Sequence, residues 1–233
     1  MATGELRKRL NVNAMTLWRD LNSLEEQGLI RRVRGGAELS SGSEDDFEAK
    51  STEQTAAKRR IGAAAVENFA QRGMTLALEG GTTVMALVEH LPLEQISIIT
   101  NSLPVASRLR QIRPDLRVRM PPGWLNGVSG NLCGPETVRW FRSQKTDLCF
   151  IGATGFDAER GPTDPNPLEI EAKRAMLRQS EKVILLIDQQ KFGRRSTSQV
   201  VHPKHLSAIV TDGLPEKRFQ RYLKQFPTEL IVA

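Results

Sequence analysis

Met74-Thr75-Leu76-Ala77-Leu78-Glu79-Gly80-Gly81-Thr82-Thr83-Val84-Met85 is the stretch that decides how this chain is read. Leu76-Ala77-Leu78 is a short apolar run, and Glu79-Gly80-Gly81-Thr82-Thr83 breaks it. Val84, Leu87, Val88 and Leu91 then recur at helical spacing. That order predicts a strand, a tight turn and a helix. Two glycines let the backbone bend sharply and approach a ligand closely. The two threonines stand at the helix entrance, where free N–H groups and the helix dipole favour an anion and the hydroxyls add donors. The residues admit two readings equally: a cradle for a phosphate or other anionic oxygen, and a plain strand-to-helix turn. Gly-Gly-Thr-Thr is neither a Walker loop nor a dinucleotide fingerprint.

Working outward, apolar runs alternate with helical segments. Thr55 to Gln71 carries Ile61, Ala64, Ala65, Val66 and Phe69, which predicts a helix; its Lys58-Arg59-Arg60 cluster reads as a solvated face, with contact to a DNA backbone as the alternative. Ile96–Ile99 predicts a strand ending in Thr100-Asn101-Ser102, and Pro104 to Arg110 a helix with proline near its first turn. Leu116–Met120 alternates like a strand and ends in Pro121-Pro122-Gly123. Leu148–Ile151 predicts a buried strand ending in Gly152-Ala153-Thr154-Gly155, Leu168 to Gln179 a helix, Val183–Ile187 a strand ending at Asp188, and Ala208–Val210 a strand ending in Thr211-Asp212. The alternation implies an α/β fold with a mostly parallel sheet covered by helices. Small and polar residues recur just past the strands' carboxyl ends, where open α/β sheets bind ligands. Gly161–Pro167 is stiff and polar and reads as a lid over such a site.

The chain has 233 residues, room for one large domain and a small one. Hydrophobic residues make up 39% and charged residues 26%, as in a soluble globular protein. The net charge of +6 permits a nucleic-acid partner without establishing one. Two cysteines, Cys133 and Cys149, suggest a reducing, cytoplasmic compartment. No apolar run reaches the roughly 18 residues of a membrane helix, and no signal peptide is visible.

At the amino terminus, Leu6 and Leu10 can share a helix face, and Asn13 is placed to cap a second helix whose apolar stripe is Leu17, Leu21 and Leu24. Gly28 stops that helix, and Leu29–Leu39 predicts two short strands around Gly35-Gly36. Helix, short turn, helix and basic hairpin is the layout of a winged helix-turn-helix. Thr16, Trp18 and Arg19 would project toward base edges, and Arg31, Arg32 and Arg34 toward phosphates. A solvated amphipathic helix followed by an ordinary hairpin is the alternative.

These residues carry a resemblance. Glu5-Leu6, then Val12-Asn13-Ala14-Met15-Thr16-Leu17-Trp18-Arg19-Asp20-Leu21, then Leu24-Glu25-Glu26-Gln27-Gly28 and Arg34-Gly35-Gly36-Ala37 resemble the DNA-binding head of the DeoR family of bacterial regulators. Trp18 stands where the family usually has the first Arg of Arg-Arg-Asp. The resemblance further implies a helix before this point, so the head reads as lacking its first helix. Leu78-Glu79-Gly80-Gly81-Thr82-Thr83 resembles the family's Leu-Asp-x-Gly-Thr-Thr, with Glu79 for the usual Asp. Thr100-Asn101-Ser102, Gly152-Ala153-Thr154-Gly155-Phe156-Asp157, Ile170–Met176, Asp188–Gly193 and Thr211-Asp212 match further family segments in order, while Pro122-Gly123 replaces the Gly-Gly of many members.

The resemblance implies a winged helix-turn-helix domain over 1–39, a linker over 40–54 and an effector domain over 55–233 with a fold similar to that of ribose-phosphate isomerases. It implies an oligomeric regulator, a repressor in the first instance. Operator DNA would meet Asn13, Met15, Thr16, Trp18, Arg19, Arg31, Arg32 and Arg34, and a phosphorylated sugar would be the effector. In that reading Gly80, Gly81, Thr82 and Thr83 take the phosphate, with Lys173 or Lys191 supplying positive charge. Glu79, Thr100, Asn101, Ser102, Gly152, Ala153, Gly155 and Asp157 line the rest, and Asp157 could equally cap a turn. No cofactor is implied.

A sugar-phosphate enzyme and a metabolite-binding module without DNA affinity are the rival readings. The isomerases' Asp-Gly-Ala-Asp-Glu segment corresponds to Ile151-Gly152-Ala153-Thr154-Gly155, which lacks both aspartates, so the expectation is no enzyme. His202 and His205, separated by Pro203-Lys204 and without an evident third ligand, read as loop histidines rather than a metal site.

Overall fold

The computed structural model describes every residue except 1, 2, 11, 27–29, 34, 35, 40–46, 48–50, 52, 93 and 94, and for 8, 24–26, 30–33 and 37–39 it describes the backbone alone. The chain divides into two compact units, Met1–Glu44 and Asp45–Ala233.

In the first unit, α1 (Thr3–Leu10) is followed by α2 (Ala14–Glu26). Asn13 caps α2: its Oδ1 accepts the N–H of Thr16 at 2.8 Å. Leu17 and Leu21 are buried, with Leu6 and Val12 packed on them. Two of the three residues of the expected stripe, Leu17 and Leu21, therefore form a core among the described residues, while the side chain of Leu24 lies outside them. β1 (Ile30–Val33) pairs antiparallel with β2 (Gly36–Leu39), Ile30 opposite Leu39 and Val33 opposite Gly36. Gly28, Arg34, Gly35 and residues 40–46 of the expected linker lie outside the described residues.

The second unit begins with α3 (Thr55–Phe69), β3 (Thr75–Leu78) and α4 (Thr82–Leu87), the strand, turn and helix expected there. β4 (Ser97–Thr100), α5 (Leu103–Ile112) and β5 (Arg117–Arg119) follow. A short hairpin of β6 (Trp124–Leu125) and β7 (Leu132–Cys133) leads to α6 (Pro135–Arg142) and β8 (Thr146–Ile151). Next come β9 (Gly155–Asp157), β10 (Gly161–Asp164), α7 (Pro167–Leu177), β11 (Ser180–Leu186) and β12 (Ser198–Gln199). β13 (Ala208–Thr211), α8 (Lys217–Leu223) and β14 (Glu229–Val232) complete the chain.

Seven strands form one sheet in the order β14-β13-β11-β8-β3-β4-β5, every neighbouring pair parallel. Alternate residues serve opposite faces. Leu76 and Leu78 join Ile98, Phe150 and Ile184 under α3, α4 and α5, whereas Ala77, Ile99, Cys149 and Ile151 join Phe141, Ile170 and Phe219 from α6, α7 and α8. Burial on both faces explains why these strands read as continuous apolar runs. Gly62 of α3 lets α4 come close: a Cβ there would lie 2.8 Å from the backbone nitrogen of Leu87.

The chain lays β4 and β5 on one side of β3 and later returns with β8 on the other. The connections therefore diverge from the carboxyl ends of β3 and β8, and that crevice is where such sheets bind ligands.

The lid expected over Gly161–Pro167 is corrected. Gly161–Asp164 is a buried strand, β10, paired antiparallel with β9 and β12 in a small side sheet. Its Thr163 hydroxyl accepts the N–H of Ser196, so the segment is clamped on both edges. Among the described residues, no helix is long and apolar enough to cross a membrane.

Candidate functional site

Glu79 leaves the end of β3 and crosses the crevice. Its Oε2 accepts the N–H of Gly152, just past β8, at 3.1 Å, and its backbone N–H reaches Phe150 O at 3.0 Å. Lys173 enters from α7, its Nζ 3.2 Å from Glu79 Oε1 and within hydrogen-bond reach of Asp164 Oδ2 and Gly152 O. Asp164, at the end of β10, also accepts the N–H of Thr154 at 2.7 Å. Burial pushes the Glu79 carboxyl up to about 7, against the opposing pull of Lys173. Burial would by itself lower the Lys173 ammonium, but Asp164 and Glu79 outweigh it and hold that group above the usual lysine range.

A second layer surrounds this network. Glu169, one helical turn before Lys173, accepts from Asn126 Nδ2 at 2.9 Å, from the Ser129 hydroxyl, and from Asn131 Nδ2 at 3.3 Å. Asn131 packs so closely over Gly80 that a Cβ on Gly80 would overlap its amide. Asn101 donates to Leu132 O at 3.1 Å. The amide oxygens of both Asn101 and Asn131 are buried without a hydrogen-bond partner. Thr100 pairs in register with Leu78, so Asn101 borders Glu79 while Asn131 borders Gly80. Buried orphan acceptors are costly unless something donates to them.

The other expected residues divide. Thr82 and Thr83 are buried at the start of α4, which Gly81 precedes and whose cap involves no side-chain hydrogen bond; α4 itself has six residues. Thr100 and Ser102 have hydroxyls engaged in local backbone contacts: Thr100 Oγ1 accepts Ser102 N–H at 3.0 Å, and Ser102 Oγ caps α5 through the N–H of Val105. Lys191 donates to Ala153 O at 3.0 Å and lies 3.7 Å from Asp188. Gly155 sits under the backbone of Arg194. Asp157 caps the β9–β10 turn, accepting the N–H groups of Glu159 and Arg160 at 2.8 and 2.9 Å, which accounts for its position without a ligand.

In the amino-terminal unit, Met15 is 71% and Trp18 54% exposed, and Thr16 and Arg19 are exposed beside them. Asn13 is engaged as the cap of α2. The side chains of Arg31 and Arg32, and Arg34 as a whole, lie outside the described residues. His202 Nδ1 accepts Lys204 N–H at 3.2 Å and its ring meets Phe226 edge-on. Among the described residues, no three or more His, Cys, Asp or Glu are grouped to hold a metal.

Sequence reasoning missed Asn126, Ser129, Asn131, Asp164 and Glu169. Glu169 had a signal, its i,i+4 spacing from Lys173. Asp164 lay inside the segment read as a lid. Asn126, Ser129 and Asn131 sit on the β6–β7 hairpin, whose strands are too short to show a period.

A helix-turn-helix unit with a β-hairpin wing, joined to a parallel α/β unit with a buried polar cluster at its switch point, defines a ligand-responsive transcriptional regulator. The chain belongs to the DeoR family: residues 1–42 match the DeoR-like helix-turn-helix domain and residues 53–213 the DeoR C-terminal sensor domain. It is 33% identical over 211 residues to the HTH-type transcriptional regulator GlpR of Haloferax volcanii, covering 89% of this chain and 82% of that protein. It is 33% identical over 220 residues to the glycerol-3-phosphate regulon repressor of Escherichia coli K12, covering 92% and 85%. Among solved structures, the full-length sorbitol operon regulator SorC of Klebsiella pneumoniae aligns at 13% identity and TM-score 0.45, covering 96% of this chain and 94% of that one. The chain is thus a DNA-binding transcriptional regulator and not an enzyme.

Proposed function

We propose that the chain is a repressor of a carbohydrate-metabolism operon whose grip on operator DNA is set by a small phosphorylated sugar or polyol. The observation that carries this reading is the pair of unpartnered amide oxygens, Asn101 and Asn131, bordering the Glu79–Gly80 step. Ligand hydroxyls would donate to them, and the carboxylates of Glu79, Asp164 and Glu169 would accept from others. Gly80, Gly81, Thr82 and Thr83 would take the phosphate. Glycerol 3-phosphate is the first candidate, because a repressor named for its regulon is 33% identical to this chain.

The head would read DNA with Met15, Thr16, Trp18 and Arg19 at base edges and Arg31, Arg32 and Arg34 at phosphates. Two copies of the chain would place two heads on paired half-sites, since one small head offers few contacts. The domain boundary falls in 40–54. Effector binding changes DNA affinity only if the ligand prefers one arrangement of the heads over the other.

Thermal melting of the full chain with glycerol 3-phosphate, ribose 5-phosphate and fructose 6-phosphate, each beside its unphosphorylated parent, tests this. A ligand at ~100 times its Kd adds about 2.7 kcal/mol. A shift with one phosphate ester and none with its parent is expected. Shifts of equal size from ester and parent would remove the phosphate from the reading.

A further inference from the structure

The two edges of the seven-stranded sheet are built differently. β5 at one edge is Arg117-Val118-Arg119, with both arginines exposed. β14 at the other edge is Glu229-Leu230-Ile231-Val232, followed by Ala233, and its single charge stands at its start. An edge strand offers unpaired backbone N–H and C=O groups to any chain that can lie beside it, and charged side chains are a usual guard. β5 carries that guard. β14 lacks it, and its Val232 is 46% exposed.

The pairing of β14 with β13 fixes which groups face outward. Glu229 N–H donates to Ser207 O at 3.0 Å and Ala233 N–H to Thr211 O at 2.8 Å. Ile231 lies between them, opposite Val210 in the same parallel ladder. Residues 229, 231 and 233 therefore turn their backbone groups toward β13, and Leu230 and Val232 turn theirs to the outer side. Among the described residues, no strand pairs with that outer side. Leu230 packs on the α6–α7–α8 face of the sheet and Ile231 on the α3–α4–α5 face.

Charge and symmetry select the occupant. Antiparallel self-pairing of β5 would set Arg117 of one copy opposite Arg119 of another, like charges in direct opposition. Self-pairing of β14 sets apolar residues opposite one another. β14 of one copy laid on β5 of the next would leave a free edge at each end and grow without closing, whereas a two-fold pairing of like strands closes at two copies. A regulator whose single head offers few DNA contacts is served by that closure.

We propose that the outer edge of β14 is where two copies of this chain join, their β14 strands antiparallel about a two-fold axis at Ile231. This rests on the reading that two copies act together on paired half-sites, and it names the surface that joins them. Leu230 of one copy exchanges N–H···O bonds with Val232 of the other on each side of the axis. Ile231 faces its own counterpart in the non-hydrogen-bonded position, where Cα atoms lie about 4.5 Å apart. The two sheets become one continuous sheet.

The test uses the full chain. Sedimentation equilibrium over a range of concentrations compares the parent protein with Val232→Pro, which removes an outward N–H and leaves the ladder with β13 intact. Ile231→Cys puts a thiol at the axis, within the Cα spacing that a disulfide spans, and Val232→Cys, off the axis, is its control. The native Cys133 and Cys149 are buried. Expected are association of the parent protein, a weakening of tenfold or more in Val232→Pro, and a cross-linked pair on mild oxidation of Ile231→Cys but not of Val232→Cys. Should Val232→Pro fail to fold, the cross-link alone decides. Undiminished association of a folded Val232→Pro, or no cross-link in an associating Ile231→Cys, overturns the β14 interface and leaves the two-copy reading standing. A parent protein that stays monomeric at every concentration overturns both. Association that grows without limit as concentration rises overturns the two-fold arrangement.

Discussion

Lys173 Nζ lies 3.2 Å from Glu79 Oε1, with both side chains 4% exposed, and the pair ties α7 to the carboxyl end of β3. The two partners are not equivalent. The surroundings disfavour the charge on Glu79, through burial first and the like charges of Asp164 and Glu169 after it, and favour the charge on Lys173, whose burial is outweighed by Asp164 and Glu79.

Substitution should therefore be asymmetric. Lys173→Met leaves Glu79 and Asp164 buried without their cation and is expected to cost about 3–5 kcal/mol, the usual penalty for stranding buried charge. Glu79→Gln keeps the shape, leaves Lys173 paired with Asp164 and should be close to neutral near pH 5 and no less stable than the parent protein at pH 8. Urea unfolding of both variants measures the difference, and equal losses would contradict the asymmetry.

The same imbalance fixes a pH dependence. Glu79 titrates near 7 when folded and at its ordinary value of 4.5 when unfolded, so between those values the folded state binds more protons. Stability then falls as pH rises from about 4.5 through 7, by an amount on the order of 3 kcal/mol from this group. In Glu79→Gln that fall should be lost. Unfolding free energies across pH 5–8 for both proteins check the sign.

Gly80→Ala would drive a methyl group into the Asn131 amide, which Glu169 holds from behind. Overpacking of this kind costs about 1–3 kcal/mol. It also moves an unpartnered acceptor of the proposed pocket, so the melting shift produced by a phosphate ester should shrink more than the melting temperature itself. A normal ligand shift in a folded Gly80→Ala protein would remove Asn131 from the site.

Arg19 is exposed on α2. Arg19→Ala should leave thermal stability within about 0.5 kcal/mol. If it contacts a base, operator affinity falls by about 1–3 kcal/mol and specificity relaxes; if it contacts a phosphate, the salt slope drops by about 1. Operator titrations at several salt concentrations distinguish the two, and unchanged affinity and slope would take Arg19 out of the interface.

The elements legible in the sequence were those with a long enough pattern. The central strands at Leu76–Leu78, Ile98-Ile99, Leu148–Ile151 and Val183–Leu186 are apolar on both faces, and α2, α3 and α7 show helical periodicity. The pieces that carried no such pattern were short: β6, β7 and β12 have two residues each, and β9 has three. Asn131 and Asp164 ride on or beside these pieces, so no local signal marked them.

The sequence by itself determined the class of fold, the Gly80-Gly81 turn and the family, because apolar periodicity, capping residues and turn glycines act over a few neighbouring positions. Tertiary structure alone decided which charges meet. Glu79 and Lys173 are far apart in the chain and face each other only because β8 returns beside β3 and α7 covers that edge. Lys58, which its cluster alone places on a solvated helix face, is instead 4% exposed, one turn before the Gly62 that admits the backbone of α4. A side chain's burial, and hence the state of its charge, depends on which distant backbone packs over it, and spacing along one helix does not contain that information.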